Sequence, residues 1–169
     1  TYTPSNTATF TLSSDKDGAF LYLLDANPDW VVWDGAPFEI VGQVREPLLQ
    51  DPGTKPTNIV FMGMGEPLLN WPSVDVALSI LNSPQGLGIG ARHITVSTVG
   101  IIPGMKQLAA RPEQFRLAIS LHAPSPARRL PLMPVEKKYP VEDVLKAAAV
   151  FQKRITFEYV LIAGKNDSD

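Results

Sequence analysis

Short apolar segments alternate with amphipathic ones along most of the chain. Four apolar runs of strand length, rich in β-branched or aromatic residues, cover residues 58–61, 93–99, 115–121 and 155–162. Between them, apolar side chains recur every three or four positions, as at Val74, Leu78 and Leu81, which is the spacing of an amphipathic helix. Strands that alternate with helices form a parallel sheet with right-handed crossovers. The pattern therefore predicts an α/β fold.

Prolines mark the expected boundaries of the helices. Three helices are predicted, each with a proline near its start, over residues 72–81, 103–110 and 140–152. Asn70 is expected to cap the first of them. Ile40, Val41 and Val44 predict an earlier helix, which we expect Pro47 to end or kink. Four or five strand–helix units are too few for an eight-stranded barrel, which takes about 200 residues or more, so a partial barrel or an open sheet is expected.

The N-terminal part of the chain follows a different pattern. A loosely alternating stretch at residues 7–12 and an apolar run at 19–24 flank a turn at 15–18, which predicts a β-hairpin. We therefore divide the chain into an N-terminal β segment, residues 1–37, and an α/β domain, residues 38–169.

Small, polar or ionisable residues follow the predicted strands. The first strand runs into Gly63-Met64-Gly65 and then Glu66, where the glycines allow a tight turn and a close approach of the backbone to a ligand. Later ends carry Ser97 and Ser120-Leu121-His122, and the last strand is expected to end near Ile162. Ligands of parallel sheets bind at the carboxyl ends of strands. A carboxylate, hydroxyls and an imidazole at one edge favour an amino acid or nucleoside ligand.

The same residues also permit other interpretations. In a purely structural one, the glycines only turn the chain, Glu66 is solvated, and His122 is a hydrogen-bonded structural histidine. In another interpretation, Glu66 and His122 form the acid–base pair of an α/β enzyme. The residues alone leave all of these open.

Composition narrows the classes of function. The 169 residues include no cysteine and two histidines, which excludes disulfides and thiolate metal sites within the chain and disfavours a histidine metal site. We therefore assign no metal ligand and no catalytic residue. No apolar run is long enough for a membrane span, and no signal peptide is recognisable, so we expect a cytoplasmic protein.

Charge is unevenly distributed along the chain. Residues 1–70 carry three basic and nine acidic side chains, whereas residues 103–154 carry ten basic and four acidic ones. This asymmetry indicates an anionic partner for the basic half, although a solvated helical surface has the same composition.

Several segments together resemble the RlmN/Cfr family of radical S-adenosylmethionine (SAM) enzymes, which methylate adenine C2 of large-subunit ribosomal RNA and of some tRNAs. The likeness extends from about Phe38 to Asp167. The segments that carry it are NIVFMGMGEPLLN, HITVSTVGIIPGMKQLA, LAISLHAP followed by Arg129, LMPVEKKYP and RITFEYVLIAGKND. The resemblance implies a partial (β/α)6 TIM-like barrel, SAM and a 4Fe–4S cluster as cofactors, and ribosomal RNA and tRNA as partners.

The resemblance also implies roles for the strand-end residues. Gly65 and Glu66 would hold the methionine part of SAM, and Ser97 would touch its nucleoside. The pocket would be completed by Ser120, Leu121 and His122.

The chain departs from this family at the residues that carry its radical chemistry. The cluster motif, Cys-x-x-x-Cys-x-x-Cys, is expected upstream of Phe38, and the methyl-carrying cysteine towards the C-terminus, but the chain has neither. Smaller departures are Ser125-Pro126 in place of Asn-Asp, and Glu136 in place of Asn. Since three thiolates hold the cluster, we expect a truncated or degenerate barrel that is inactive as an isolated chain. A non-catalytic SAM- or RNA-binding module is the alternative.

Overall fold

Five parallel strands form the central sheet. The computed structural model describes residues 37–51, 53, 56–63 and 65–167, together with the backbone of residues 14–15, 18–19 and 21–23. Two short strands, β1 (Ser14–Asp15) and β2 (Gly18–Ala19), pair with each other in antiparallel fashion. The sheet itself has the order β3-β4-β5-β6-β7. Its strands are β3 (Leu21–Leu23), β4 (Ile59–Gly63), β5 (Ile94–Thr98), β6 (Arg116–Ser120) and β7 (Ile155–Glu158).

Helices connect successive strands of the sheet. They are α1 (Pro37–Gln50), α2 (Trp71–Asn82), α3 (Ile102–Ala110), α4 (Pro126–Arg129) and α5 (Val141–Ala149). Single turns of 3₁₀ helix occupy Pro67–Asn70, Ala91–His93 and Pro134–Lys137. None of the helices in the described ranges has the length and apolarity that a membrane span requires.

The two faces of the sheet differ in polarity. Alternation along β5 and β6 turns Ile94, Val96, Leu117 and Ile119 to one face, where they are buried in the main apolar cluster. The other face, which we call the inner face, carries small or polar residues. Strand register places Ser97 beside Ala118 and Ser120 beside Glu158 on this face. A parallel sheet with both faces covered by helices is apolar on both, so the polar inner face is typical of a barrel interior that receives a ligand.

Helix packing fixes the turn that follows β4. Gly104 of α3 faces the 3₁₀ turn Pro67–Asn70, and a Cβ at this position would lie 2.6 Å from Leu68 Cβ and 2.9 Å from its carbonyl oxygen. Only glycine allows α3 to approach this closely. The contact places the backbone after Glu66 against the end of β5.

The N-terminal predictions had mixed outcomes. Antiparallel pairing does occur between β1 and β2, but residues 7–12 and 16–17 lie outside the described part of the chain. The apolar run at 19–24 was predicted to be the second arm of a hairpin, and this is wrong for Leu21–Leu23, which pairs with β4 in parallel. A short apolar run fits either pairing, because side-chain alternation does not specify strand direction.

Three predicted boundaries also require correction. Pro47 neither ends nor interrupts α1, which continues to Gln50 with Ile40, Val41 and Val44 buried. Burial of this face outweighs the single helical hydrogen bond that proline removes. Asn70 stands at the N-cap of α2 but makes no capping hydrogen bond with its side chain. The last strand ends at Glu158, four residues before the expected Ile162.

Candidate ligand-binding site

Glu66 joins the ends of two neighbouring strands. Its Oε1 accepts a hydrogen bond from the Leu68 amide at 3.0 Å, and its Oε2 accepts one from the Val99 amide at 2.7 Å. The side chain is only 5% exposed, so the alternative interpretation of Glu66 as a solvated carboxylate is wrong. Burial raises the pKa of Glu66, although these amides and the Thr98 hydroxyl oppose the shift. Glu66 is therefore a clamp between β4 and the segment after β5.

Gly65 provides the turn into this clamp. Its φ of 95° lies in the left-handed region, which side chains with a Cβ rarely adopt. The residue is exposed at the carboxyl end of β4. Contact between this backbone and a ligand, which the two-glycine motif predicts, stays a prediction.

Ser97 and Ser120 converge on one carboxylate. Ser97 Oγ donates to Glu158 Oε2 at 3.4 Å, and Ser120 Oγ donates to the same oxygen at 3.3 Å. The three residues come from β5, β6 and β7 and share the inner face. The sequence predicts a site at both serines but not at Glu158, because the apolar run that forms the last strand extends to Ile162. The available signal was a lone acidic residue within the apolar run 155–162.

His122 occupies a strained turn directly after β6. Its φ of 55° is left-handed, and its Nδ1 accepts a hydrogen bond from the Val160 amide at 3.2 Å. Accepting this bond requires an unprotonated Nδ1, so the neutral ring carries its proton on Nε2. Burial lowers the pKa of His122 and the Arg129 charge adds to this, while Glu158 opposes it. His122 is thus a neutral donor at the edge of the site.

Asn166 holds this turn in place and was also missed from the sequence. The side chain is buried, and its Nδ2 donates to the carbonyl oxygens of His122 and Val160 at 2.6 and 2.8 Å. Its Oδ1 accepts from the Ile162 amide at 2.6 Å. The turn at 163–166 therefore reaches back to the end of β6.

A buried ion pair, Arg129–Glu136, connects the strand ends. Arg129 is fully buried and donates to Glu136 Oε2 at 2.6 Å. The same guanidinium donates to the carbonyl oxygens of Val99 at 2.6 Å and Leu121 at 3.1 Å. Glu136 in turn accepts from the Val141 amide at 3.0 Å. The pair thus ties the ends of β5 and β6 to the start of α5.

Glu66 and His122 have different hydrogen-bond partners. Both oxygens of Glu66 are occupied by backbone amides. Among the described residues, the two side chains share no hydrogen-bond partner. This geometry disfavours the enzyme in which they act on one substrate atom.

The residues of this chain do not fit an iron–sulfur cluster. Such clusters are held by cysteine thiolates, and the chain contains none. Within the described ranges, no group of three or more histidine, aspartate or glutamate side chains is arranged to hold a metal ion.

The fold and the site together define an α/β protein of the partial-barrel class, with a polar edge at the carboxyl ends of its strands. The sequence model of the radical SAM superfamily matches residues 39–169. The chain belongs to the radical SAM superfamily, and the predicted α/β partial barrel is confirmed.

Individual relatives support the more specific resemblance to the RlmN/Cfr family. A probable dual-specificity RNA methyltransferase RlmN of Gemmatimonas aurantiaca is 65% identical over 131 residues, which are 78% of this chain and 36% of the relative. One of the same name from Petrotoga mobilis is 46% identical over 77% of this chain and 38% of the relative. The chain thus spans little more than a third of these proteins.

A solved structure has the same fold as this chain. The crystal structure of a radical SAM methyltransferase from Sphaerobacter thermophilus superposes with a TM-score of 0.81 at 35% sequence identity. The superposition covers 94% of this chain and 52% of that one.

Proposed function

We propose that this chain forms the SAM-binding centre of an RlmN-type RNA adenine-C2 methyltransferase barrel. The observation that supports this most directly is the convergence of Ser97, Ser120 and the Glu66 turn on one sheet edge. These residues lie in segments of a chain that is 65% identical to a protein named as an RNA methyltransferase. A substrate in ribosomal RNA or tRNA, and with it a cytoplasmic location, is part of the proposal.

The structure suggests how the proposed SAM contacts are divided. Glu66 positions Gly65 through backbone hydrogen bonds, so the methionine part would be met mainly by the exposed backbone of this turn. Ser97 would face the nucleoside, while Ser120, Leu121 and His122 would close the other side. SAM, when bound, supplies the methyl group for such a reaction.

These 169 residues do not supply what radical chemistry requires. Cleaving SAM in this superfamily needs an electron from the cluster, and this chain offers no thiolate to hold one. We therefore propose that the isolated chain binds SAM without transferring its methyl group.

Calorimetric titration of the purified chain with SAM tests this proposal. We expect heat of binding from the chain, together with no retained iron or sulfide after anaerobic reconstitution. Bound iron would contradict the cluster-free interpretation, and the absence of SAM binding would contradict the proposed site.

Substitution of Glu66 tests the assigned position of the SAM pocket. In Glu66→Ala, the buried amides of Leu68 and Val99 lose their acceptors, which costs about 1–3 kcal/mol each and releases the Gly65 turn. We expect SAM affinity to fall about tenfold or more. The exposed Glu142 of α5 supplies the matched control, Glu142→Ala, which is expected to bind like the wild type. Unchanged affinity of a folded Glu66→Ala chain would place the pocket elsewhere.

A non-catalytic RNA-binding module is the second candidate. The segment between β6 and α5 lies at the carboxyl edge of the sheet and exposes Lys137 and Lys138. Arg111, by contrast, pairs with Asp75 and Glu113 within the chain. The exposed cations at the site edge therefore favour contacts with phosphate groups there.

A further inference from the structure

The turn at His122 has a backbone conformation that a histidine does not favour by itself. Among the described residues other than glycine, His122 alone has a positive φ, of 55°. A side chain with a Cβ is strained in this region, and such a conformation persists only where the surrounding structure fixes it. The contacts that hold this turn from outside therefore decide where the His122 ring lies.

Asn166 supplies such contacts from the turn after β7. Its Nδ2 donates to the carbonyl oxygens of His122 at 2.6 Å and Val160 at 2.8 Å. Its Oδ1 accepts from the Ile162 amide at 2.6 Å. The opposite assignment of the side-chain amide would place its oxygen against two carbonyl oxygens, so these partners define its orientation. Because the side chain is 3% exposed, it can influence a ligand only through the residues that it holds.

The position of Asn166 is itself fixed by the turn around it. The Tyr159 hydroxyl donates to the Asn166 carbonyl oxygen at 2.9 Å, and the Asn166 amide donates to the Ile162 carbonyl oxygen at 3.3 Å. Gly164 has a left-handed φ of 69° and turns the chain back towards β6. A buried side chain that is held by its own backbone is suited to fixing the geometry of a neighbouring residue.

Asn166 also acts on the His122 ring. It holds Val160 by its carbonyl oxygen, and the amide of the same residue donates to His122 Nδ1 at 3.2 Å. This bond keeps the ring proton on Nε2, which has no hydrogen-bond partner among the described residues. Glu158 and Arg129 are the charged groups that act on the ring. The ring therefore has one N–H donor that is available to a ligand.

We propose that Asn166 is a positioning residue, which sets both the backbone turn and the ring orientation of His122 for the bound ligand. The inference rests on the proposed function only in taking that ligand to be SAM. It gives the turn at 163–166 a part in ligand binding, although Asn166 itself contacts no ligand atom.

NMR of the ligand-free chain tests the positioning directly, because the chain has only two histidines. The variant is Asn166→Leu, since leucine has nearly the shape of asparagine but no polar side-chain atom. We expect the His122 ring to lose its bond from the Val160 amide. Its pKa should then move back towards 6.5, and the Val160 amide should exchange its hydrogen faster. The control, Asn58→Leu, removes the asparagine partner of His93 and is expected to leave the His122 titration unchanged.

Calorimetric titration with SAM then connects the turn to the ligand. We expect Asn166→Leu to bind SAM about tenfold more weakly, the equivalent of one hydrogen bond, and Asn58→Leu to bind like the wild type. His122→Asn keeps a residue that tolerates the left-handed backbone but removes the ring. In that background, Asn166→Leu is expected to cause a smaller loss of affinity than in the wild type. An equal loss in both backgrounds would show that Asn166 does not act through the ring.

Circular dichroism establishes that each variant is folded. If Asn166→Leu is not, Asn166→Asp replaces it, because it keeps the acceptor for the Ile162 amide and removes both donors. The added negative charge also raises the pKa of His122, so hydrogen exchange of the Val160 amide is then the measurement that decides.

Each remaining outcome overturns a specific statement. An unchanged His122 titration and unchanged Val160 exchange in a folded Asn166 variant would show that this residue does not position the ring. A changed ring with unchanged SAM affinity would overturn its role in ligand binding. Failure of the wild-type chain to bind SAM would overturn the proposed function and the ligand part of this inference, while the NMR result would still decide whether Asn166 positions the ring.

Discussion

At the scale of single residues, hydrogen bonds in the candidate site are compatible with only one protonation state of the side chain that makes them. The clearest case is His122, whose Nδ1 accepts from the Val160 amide at 3.2 Å. Protonation of Nδ1 would put two donors against each other. Burial lowers the pKa of His122 from its ordinary value of 6.5. This direction agrees with the geometry of the ring.

The pH dependence of stability should reflect this histidine. Because the folded-state pKa lies below the unfolded value of 6.5, the unfolded chain binds the proton first as the pH falls. Stability is therefore expected to be constant above about pH 6.5 in this respect and to decrease from there down to the folded-state pKa. Urea unfolding across this window, with NMR titration of the ring protons, measures the effect.

His122→Asn supplies the comparison for that titration. Asparagine tolerates the left-handed backbone of this position but does not titrate. We expect its stability to change less with pH over the same window. An identical pH dependence in both chains would show that His122 is not the titrating group.

The sequence predicted the location of a side chain correctly where that location depended only on the parallel direction of the strands. Ser97 and Ser120 could be placed at one edge because parallel strands end together. Glu158 could not, because the apolar run continues past it to Ile162 and does not mark where the strand ends. Pairing with β6 stops there when the amides of Leu121 and His122 take the Glu158 carbonyl oxygen. Arg129 was equally hidden, because burial of a loop arginine depends on the particular carbonyls and carboxylate around it.

At the scale of elements, the Arg129–Glu136 pair is the main connection between strand ends and helix α5. Removing one member of a buried ion pair leaves the other uncompensated, which costs about 3–5 kcal/mol. We expect Arg129→Met to lower the free energy of unfolding by this amount, as measured by chemical denaturation. Lys146→Met breaks the exposed pair with Asp143 and is expected to change stability little.

A second substitution tests the cause of that loss. Glu136→Gln, added to Arg129→Met, removes the unpaired charge but keeps an acceptor for the Val141 amide. The double variant is expected to recover part of the lost stability. If Glu136→Gln instead adds its own loss in full, the two side chains do not act as a pair.

At the scale of the whole molecule, the effect of the uneven charge distribution depends on which cations are exposed on the surface. Helix and loop packing commits Arg111, Arg129 and Lys153 to internal partners. The net charge of a sequence segment therefore overstates the potential that a partner meets. Lys137 and Lys138 remain exposed beside the candidate site.

Binding to RNA should depend on salt if this surface is used. We expect the affinity for a single-stranded RNA to fall linearly with the logarithm of salt concentration. In a Lys137→Ala and Lys138→Ala double variant, the slope should decrease by about 0.7 per lysine removed. Lys146→Ala, whose charge is paired with Asp143, is the control. Salt-independent binding, or an unchanged slope, would rule out this surface.

The hydrogen bonds around the inner-face carboxylate also bear on when the site can exist. The Ser97 hydroxyl donates to Glu158, which lies 61 residues later in the sequence. The His122 carbonyl accepts from Asn166, which lies 44 residues later. During synthesis the N-terminal part emerges first, so the early strands leave the ribosome with their polar groups still solvated. Closure of such distant contacts is slow. In the nascent chain, the proposed binding site therefore lacks these hydrogen bonds until the turn at 163–166 has emerged.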